Sequence, residues 1–202
     1  GGLLTLGNGQ LIDKIEPFKS LVPRVYERLM NWNTDEANMG LATGLIELDE
    51  KIIGLRQGKF IVLAGRTSMG KTTLVLNIAC NIASRGIPIL IFSAETEAEE
   101  LTQQSLFMTA RIRDGLWITG IKSKSDIEAM KATADRAKQW PLYIDNDAII
   151  SVPKLQARSR RMVAKHGIKL IIVDYIQKVG GSKAKASRYE EVSEVSGALK
   201  AI

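Results

Sequence analysis

Phe60-Ile61-Val62-Leu63-Ala64-Gly65-Arg66-Thr67-Ser68-Met69-Gly70-Lys71-Thr72-Thr73 is the stretch that decides the fold of this 202-residue chain. Residues 60–64 form a short apolar run that reads as a buried strand, and residues 71–84 carry a helical pattern. Between them, Gly65 to Thr72 satisfies G-x-x-x-x-G-K-[ST], a phosphate-cradling loop in the strand-to-helix context the motif requires. Its glycines let backbone N–H groups wrap around phosphate oxygens, and the helix N-terminus adds partial positive charge. The expected nucleotide-binding set is Gly65, Arg66, Thr67, Ser68, Met69, Gly70, Lys71, Thr72 and Thr73. Lys71 is placed to reach the β- and γ-phosphates and the Thr72 hydroxyl to ligate Mg²⁺, so ATP and Mg²⁺ are the expected ligands. A chance match in a chain this long has a probability on the order of one percent.

Outward from the loop, strands and helices alternate. Residues 87–92, 142–144 and 169–173 read as strands. Residues 97–111, 126–139 (with Ser125 as the N-cap), 152–165 and 189–202 read as helices. Short continuous apolar strands separated by helices signal an α/β fold, a parallel sheet with helices on both faces.

Two acids complete the expected site. Asp174 follows the apolar run Leu170-Ile171-Ile172-Val173, where a P-loop protein needs a carboxylate for magnesium. Glu95 falls just past the second strand, at the sheet edge where ligands of open α/β sheets bind. It is a candidate general base for water, with Lys71 as its catalytic partner; from the residues alone, helix capping is the other reading of Glu95.

At this point the residues resemble a family. Met39-Gly40-Leu41-Ala42-Thr43-Gly44-Leu45-Ile46-Glu47-Leu48-Asp49, Gly54-Leu55, the loop at 65–72, Phe92-Ser93-Ala94-Glu95 and Asp174-Tyr175-Ile176-Gln177 are similar, in order, to motifs of DnaB-type replicative helicases. The resemblance covers about residues 21–202 and implies a RecA-like P-loop core, a ring-shaped homohexamer and ATP-driven 5′-to-3′ translocation on single-stranded DNA. It favours Glu95 as base, gives Gln177 a sensor or coupling role, and places Lys178, Gly180, Gly181, Lys183, Lys185 and Arg188 near DNA. Primase and a helicase loader are the further partners it suggests. Thr67, Thr96 and Gly197 depart from the usual proline, methionine and basic residue; the last puts one contact expected of the final helix in doubt. The family's later strands, arginine finger and further DNA loops are not found before Ile202, and the start at Gly1-Gly2 suggests a trimmed piece. Such a fragment is expected not to unwind DNA on its own. The division expected is residues 1–38, an N-terminal segment with a linker helix at 21–32, and residues 39–202, the ATPase core lacking its C-terminal strands.

Composition bounds the rest. Apolar residues make up 45% and charged residues 25%, ordinary for a globular protein. No apolar run is long enough for a membrane helix, and the lone Cys80 fits a reducing compartment, so a cytoplasmic location is expected. Within the net charge of +6, residues 151–188 hold ten basic side chains against one acid, which points to a polyanion partner or to solvated helix faces. Lys154, Arg158, Arg161 and Lys165 share one helical stripe, for which a solvated outer face is the expectation. Cys80 is expected in the core and His166 at a helix C-terminus. The alternatives to a helicase are a RecA-like recombinase and a nucleotide-gated assembly protein. Gln177 and the linker helix favour the first reading over the second, and the basic segment disfavours the third.

Overall fold

The computed structural model describes residues 16–31, 40–66, 68–147, 151–174 and Gly197. The chain divides into two compact units, Gly1–Met39 and Gly40–Ile202. In the first, α1 (Phe18–Met30) follows Pro17, whose fixed φ suits the position just ahead of a helix. The helix starts earlier than the expected 21–32, and no residue of α1 is buried. Phe18, Val22, Tyr26 and Leu29 recur at helical spacing and are all exposed.

The second unit is built on a parallel sheet. Before it come α2 (Ile46–Ile52), which the sequence reading did not foresee, and α3 (Lys71–Ala83), the helix that follows the phosphate loop. Strand β1 (Ile89–Ser93) is central, flanked by β2 (Leu142–Asp145) and β3 (Leu170–Asp174), in the order β2-β1-β3. Every residue of β1 is buried, so neither face can be left to water. Ile89 and Ile91 pack with Leu76, Ala79, Ile82 and Ala83 of α3 and with Leu101 of α4 (Ala98–Ala110). Leu90 and Phe92 face the other way, clustering with Ile168 and with Leu155, two residues that neighbour or belong to the helix before β3. The period-2 alternation of a strand thus sorts one apolar run into two cores. Between β1 and β3 run α4, the short α5 (Asp114–Ile118), α6 (Lys124–Ala137), β2 and α7 (Val152–His166).

Register places the strand ends. Ser93 is level with Asp174 and Phe92 with Asp145, so the C-terminal edge of the sheet gathers Ser93, Asp145 and Asp174.

Several expectations need correction. Residues 60–64 form no strand: Ile61, Val62 and Leu63 are 56%, 64% and 46% exposed. A strand is defined by a ladder partner, and among the described residues nothing ladders with this run, whatever its apolarity. The helix at 126–139 begins two residues sooner, because the cap is Ser123 and not Ser125. Ser123 accepts from the Asp126 N–H while the Asp126 carboxylate accepts from the Ser123 N–H, a reciprocal capping box. The basic stripe on α7 is not uniformly solvated: Lys154 and Arg158 are engaged in ion pairs, whereas Arg161 and Lys165 are exposed. The helix expected at 189–202 lies outside the described residues except for Gly197, which is helical. Cys80 is buried in α3 and His166 ends α7, both as expected.

Candidate nucleotide site

The phosphate loop enters α3 through a left-handed glycine. Gly70 is the residue ahead of α3 and adopts φ 78°, a left-handed conformation that costs glycine no steric strain. Ser68 also has positive φ, at 62°, which the sequence pattern did not signal. The helix begins without a side-chain cap and without an acid in its first turn, so nothing there competes with an anion for its N-terminal dipole. Lys71 folds back, its Nζ donating to the Arg66 carbonyl at 2.8 Å. Its aliphatic stem lies over Gly65, where an added Cβ would meet Lys71 Cγ at 3.5 Å.

The loop is joined to the sheet edge. Thr72 Oγ1 donates to Asp174 Oδ2 at 2.8 Å, linking residues 102 positions apart in sequence. The Asp174 carbonyl in turn accepts from the Ala94 N–H at 2.9 Å, which carries the parallel register one residue past β1. Glu95 therefore leaves the sheet directly beside the strand end that holds Asp174, and its side chain is exposed. The turn bearing Glu95 is tied internally: Ser93 Oγ donates to the Thr96 carbonyl at 2.7 Å and accepts from the Thr96 N–H at 3.2 Å. It is tied externally through Asn146 Nδ2, which donates to Glu97 Oε2 at 2.7 Å. The Ala94–Asp174 and Asn146–Glu97 ties depend on which strands become neighbours, whereas the Ser93–Thr96 turn is local.

The far side of α3 is held by the segment before the loop. Thr43 donates through its N–H and hydroxyl to Asp49 Oδ1, both at 2.8 Å, and the Gly44 N–H donates to Oδ2 at 2.9 Å. Asn81 Nδ2 of α3 donates to the Thr43 carbonyl at 3.2 Å, and the Arg85 guanidinium donates to the Ala42 carbonyl. Burial pushes the Asp49 carboxyl upward, but the Thr43 and Gly44 donors with the Arg85 charge outweigh it and hold the group below its ordinary value. Gly40 and Gly54 meet backbone to backbone: a Cβ on Gly40 would stand 2.5 Å from the Gly54 carbonyl carbon.

At the outer end of the same sheet edge, Arg158 Nη1 donates to both Asp145 oxygens at 2.7 Å. Its Nη2 lies 3.1 Å from Asp147, which Lys154 also meets at 2.5 Å. A concavity of about 540 Å³ opens elsewhere, between α4, α5 and α6, lined by apolar residues including Leu106, Phe107, Trp117 and Met130 and by none of the loop residues. Thr67, Gln177, Lys178, Lys183, Lys185 and Arg188 lie outside the described residues. Among the described residues no cluster of three or more His, Cys, Asp or Glu side chains suits a metal. A loop hydroxyl and one strand-end carboxylate are nonetheless the hard oxygen donors that suit Mg²⁺, which takes few protein ligands when phosphates supply the rest.

Solved structures of other proteins share this fold. The ATPase domain of G40P superposes with a TM-score of 0.80 at 23% identity, covering 93% of this chain and 66% of that one. A DnaB-like replicative helicase, solved in a study of its interactions with primase, gives a TM-score of 0.82 at 24% identity over 94% of this chain and 45% of that one. The fold is thus that of a RecA-like domain, and the sequence carries the phosphate-loop motif at residues 65–72. A family model, the DnaB-like helicase C-terminal domain, matches residues 40–202, and the chain belongs to that family. The replicative DNA helicase DnaB of Rickettsia conorii is 33% identical over 175 residues, 81% of this chain and 35% of that protein. The corresponding protein of Geobacillus stearothermophilus is 33% identical over 187 residues, 91% of this chain and 41% of its own length. The chain therefore spans well under half the length of these curated relatives.

Proposed function

We propose that this chain is the ATPase motor of a replicative DNA helicase, which couples Mg-ATP hydrolysis to 5′-to-3′ movement on single-stranded DNA as a ring hexamer. The observation that carries the reading is the Thr72–Asp174 hydrogen bond, which joins the phosphate loop to the sheet edge from which Glu95 emerges one strand away. The loop N–H groups and the start of α3 bind the triphosphate. Lys71 exchanges the Arg66 carbonyl for phosphate oxygens, spreading its charge over the transferred group. Thr72 and Asp174 would hold Mg²⁺, which when bound neutralises charge on the phosphate oxygens. Glu95 orients the attacking water and takes its proton as the water oxygen bonds to the γ-phosphorus and the bridge to the β-phosphate breaks, leaving ADP and phosphate.

The exposed apolar stripe of α1 supports a linker that packs on a neighbouring copy, which is how a ring would be held. Lys178, Lys183, Lys185 and Arg188 track the DNA backbone without reading sequence, and Gln177 senses the nucleotide state. Primase and a loader engage the assembled protein, in the cytoplasm; no described helix is long and apolar enough to cross a membrane. The family relationship supports the helicase over the recombinase.

The test is made in the full-length protein. Lys71→Ala abolishes ATP hydrolysis, and Glu95→Gln retains ATP binding while slowing turnover about 100-fold or more. Wild-type hydrolysis by Lys71→Ala would overturn the reading. Strand separation on forked DNA, lost in both variants, distinguishes a helicase from a strand-pairing recombinase.

A further inference from the structure

We infer that Asn146 is a positioning residue for hydrolysis, holding through Glu97 the turn that carries Glu95; the inference rests on Glu95 being the base. Glu97 occupies the position just ahead of α4, where Ser, Thr, Asp or Asn would satisfy the first turn of the helix. It makes no such cap. Its carboxylate reaches across the sheet edge to the Asn146 amide at 2.7 Å. Asn146 directly follows Asp145, the last residue of β2, which Arg158 of α7 holds by donating from Nη1 to both carboxylate oxygens.

Residues 93–97 are thereby held at both ends. At the start, Ser93 is paired with Asp174 in the ladder and the Ala94 N–H donates to the Asp174 carbonyl. At the finish, Glu97 is moored to the exit of β2. Glu95 is the middle residue, exposed and with its backbone swing limited by the two moorings. Small displacements of a catalytic group cost rate far more than they cost binding. The Asn146–Glu97 hydrogen bond is exposed and so contributes little to stability, which leaves position as its consequence.

Polarity gives the test. Asn146→Asp replaces the donor with a second carboxylate facing Glu97 and drives the turn off its mooring. In the full-length protein this variant binds ATP as tightly as wild type but turns over about fivefold more slowly. Adding Glu97→Gln restores a donor–acceptor pair with its direction reversed, and the double variant regains wild-type turnover. Unchanged turnover in Asn146→Asp overturns the inference, as does a double variant as slow as the single. A parallel loss of ATP affinity also overturns it, since that marks general damage to the site. Glu95→Gln is run alongside: wild-type turnover there overturns the base assignment itself, whereas a slow Glu95→Gln beside a fast Asn146→Asp rejects only the mooring.

Discussion

Thr72 uses one hydroxyl to close the phosphate loop on Asp174, and under the proposed function the same oxygen would ligate magnesium. Its methyl group has no part in that chemistry. Thr72→Ser is therefore expected to keep ATP turnover near wild type, while Thr72→Val, of the same shape without the hydroxyl, loses about 10- to 100-fold and needs more Mg²⁺. Steady-state hydrolysis against a Mg²⁺ titration checks this; equal rates in the Ser and Val variants would remove Thr72 from the metal site. At this scale much was legible beforehand. Gly70 and Lys71 could be read because their chemistry is local: a left-handed turn, then a helix start. The left-handed Ser68 could not, since a non-glycine residue at positive φ leaves no compositional trace. Nor could the Asn146–Glu97 tie, whose partners lie 49 positions apart and meet only because β2 and β1 are neighbours.

Among the elements, the turn that leads into α2 shows how a short segment can steady the loop helix. Asp49 gathers Thr43 and Gly44, and that turn presents the Ala42 and Thr43 carbonyls to Arg85 and Asn81 on α3. Asp49→Asn would set an amide N–H₂ against a backbone N–H and lower the melting temperature by roughly 3–8 °C. The acid dependence follows from the sign of the shift. The folded-state carboxyl titrates below its ordinary value of 3.8, so its contribution is complete above that pH and fades as pH falls through the lower folded value. Thermal melts taken from about pH 5 down to about pH 2 should show a shallower acid loss in Asp49→Asn than in wild type, and identical slopes would refute the turn's role. Elements whose pattern is set by burial on two faces were legible, β1 above all. Residues 60–64 have the same kind of apolar run yet form no ladder among the described residues and are largely exposed, because an apolar run names no hydrogen-bonding partner. The start of α6 was misplaced for a simpler reason: Ser123 and Ser125 both look like caps, and only the Asp three residues after the first completes the reciprocal pair.

For the molecule as a whole, the distribution of positive charge decides how a polyanion could be held. Ten basic side chains between residues 151 and 188 look equivalent in sequence. Among the described residues they are not: Arg158 and Lys154 are committed to Asp145 and Asp147 at the exit of β2, where they brace the sheet edge. A side chain already paired with a carboxylate is not free to neutralise a phosphate and release the counterions condensed on the nucleic acid, whereas each lysine that does so adds to the salt dependence of binding. Single-stranded DNA binding by the full-length protein should therefore weaken with rising salt, and Lys183→Gln with Lys185→Gln should reduce the log–log slope by about 1.4, at roughly 0.7 per phosphate contact. Lys154→Gln should leave that slope unchanged. Arg158→Gln should do the same while slowing hydrolysis, because it frees Asp145 and with it the neighbouring Asn146. A slope that falls on Lys154→Gln but not on the Lys183 and Lys185 pair would move the DNA path from the segment after β3 to the face of α7.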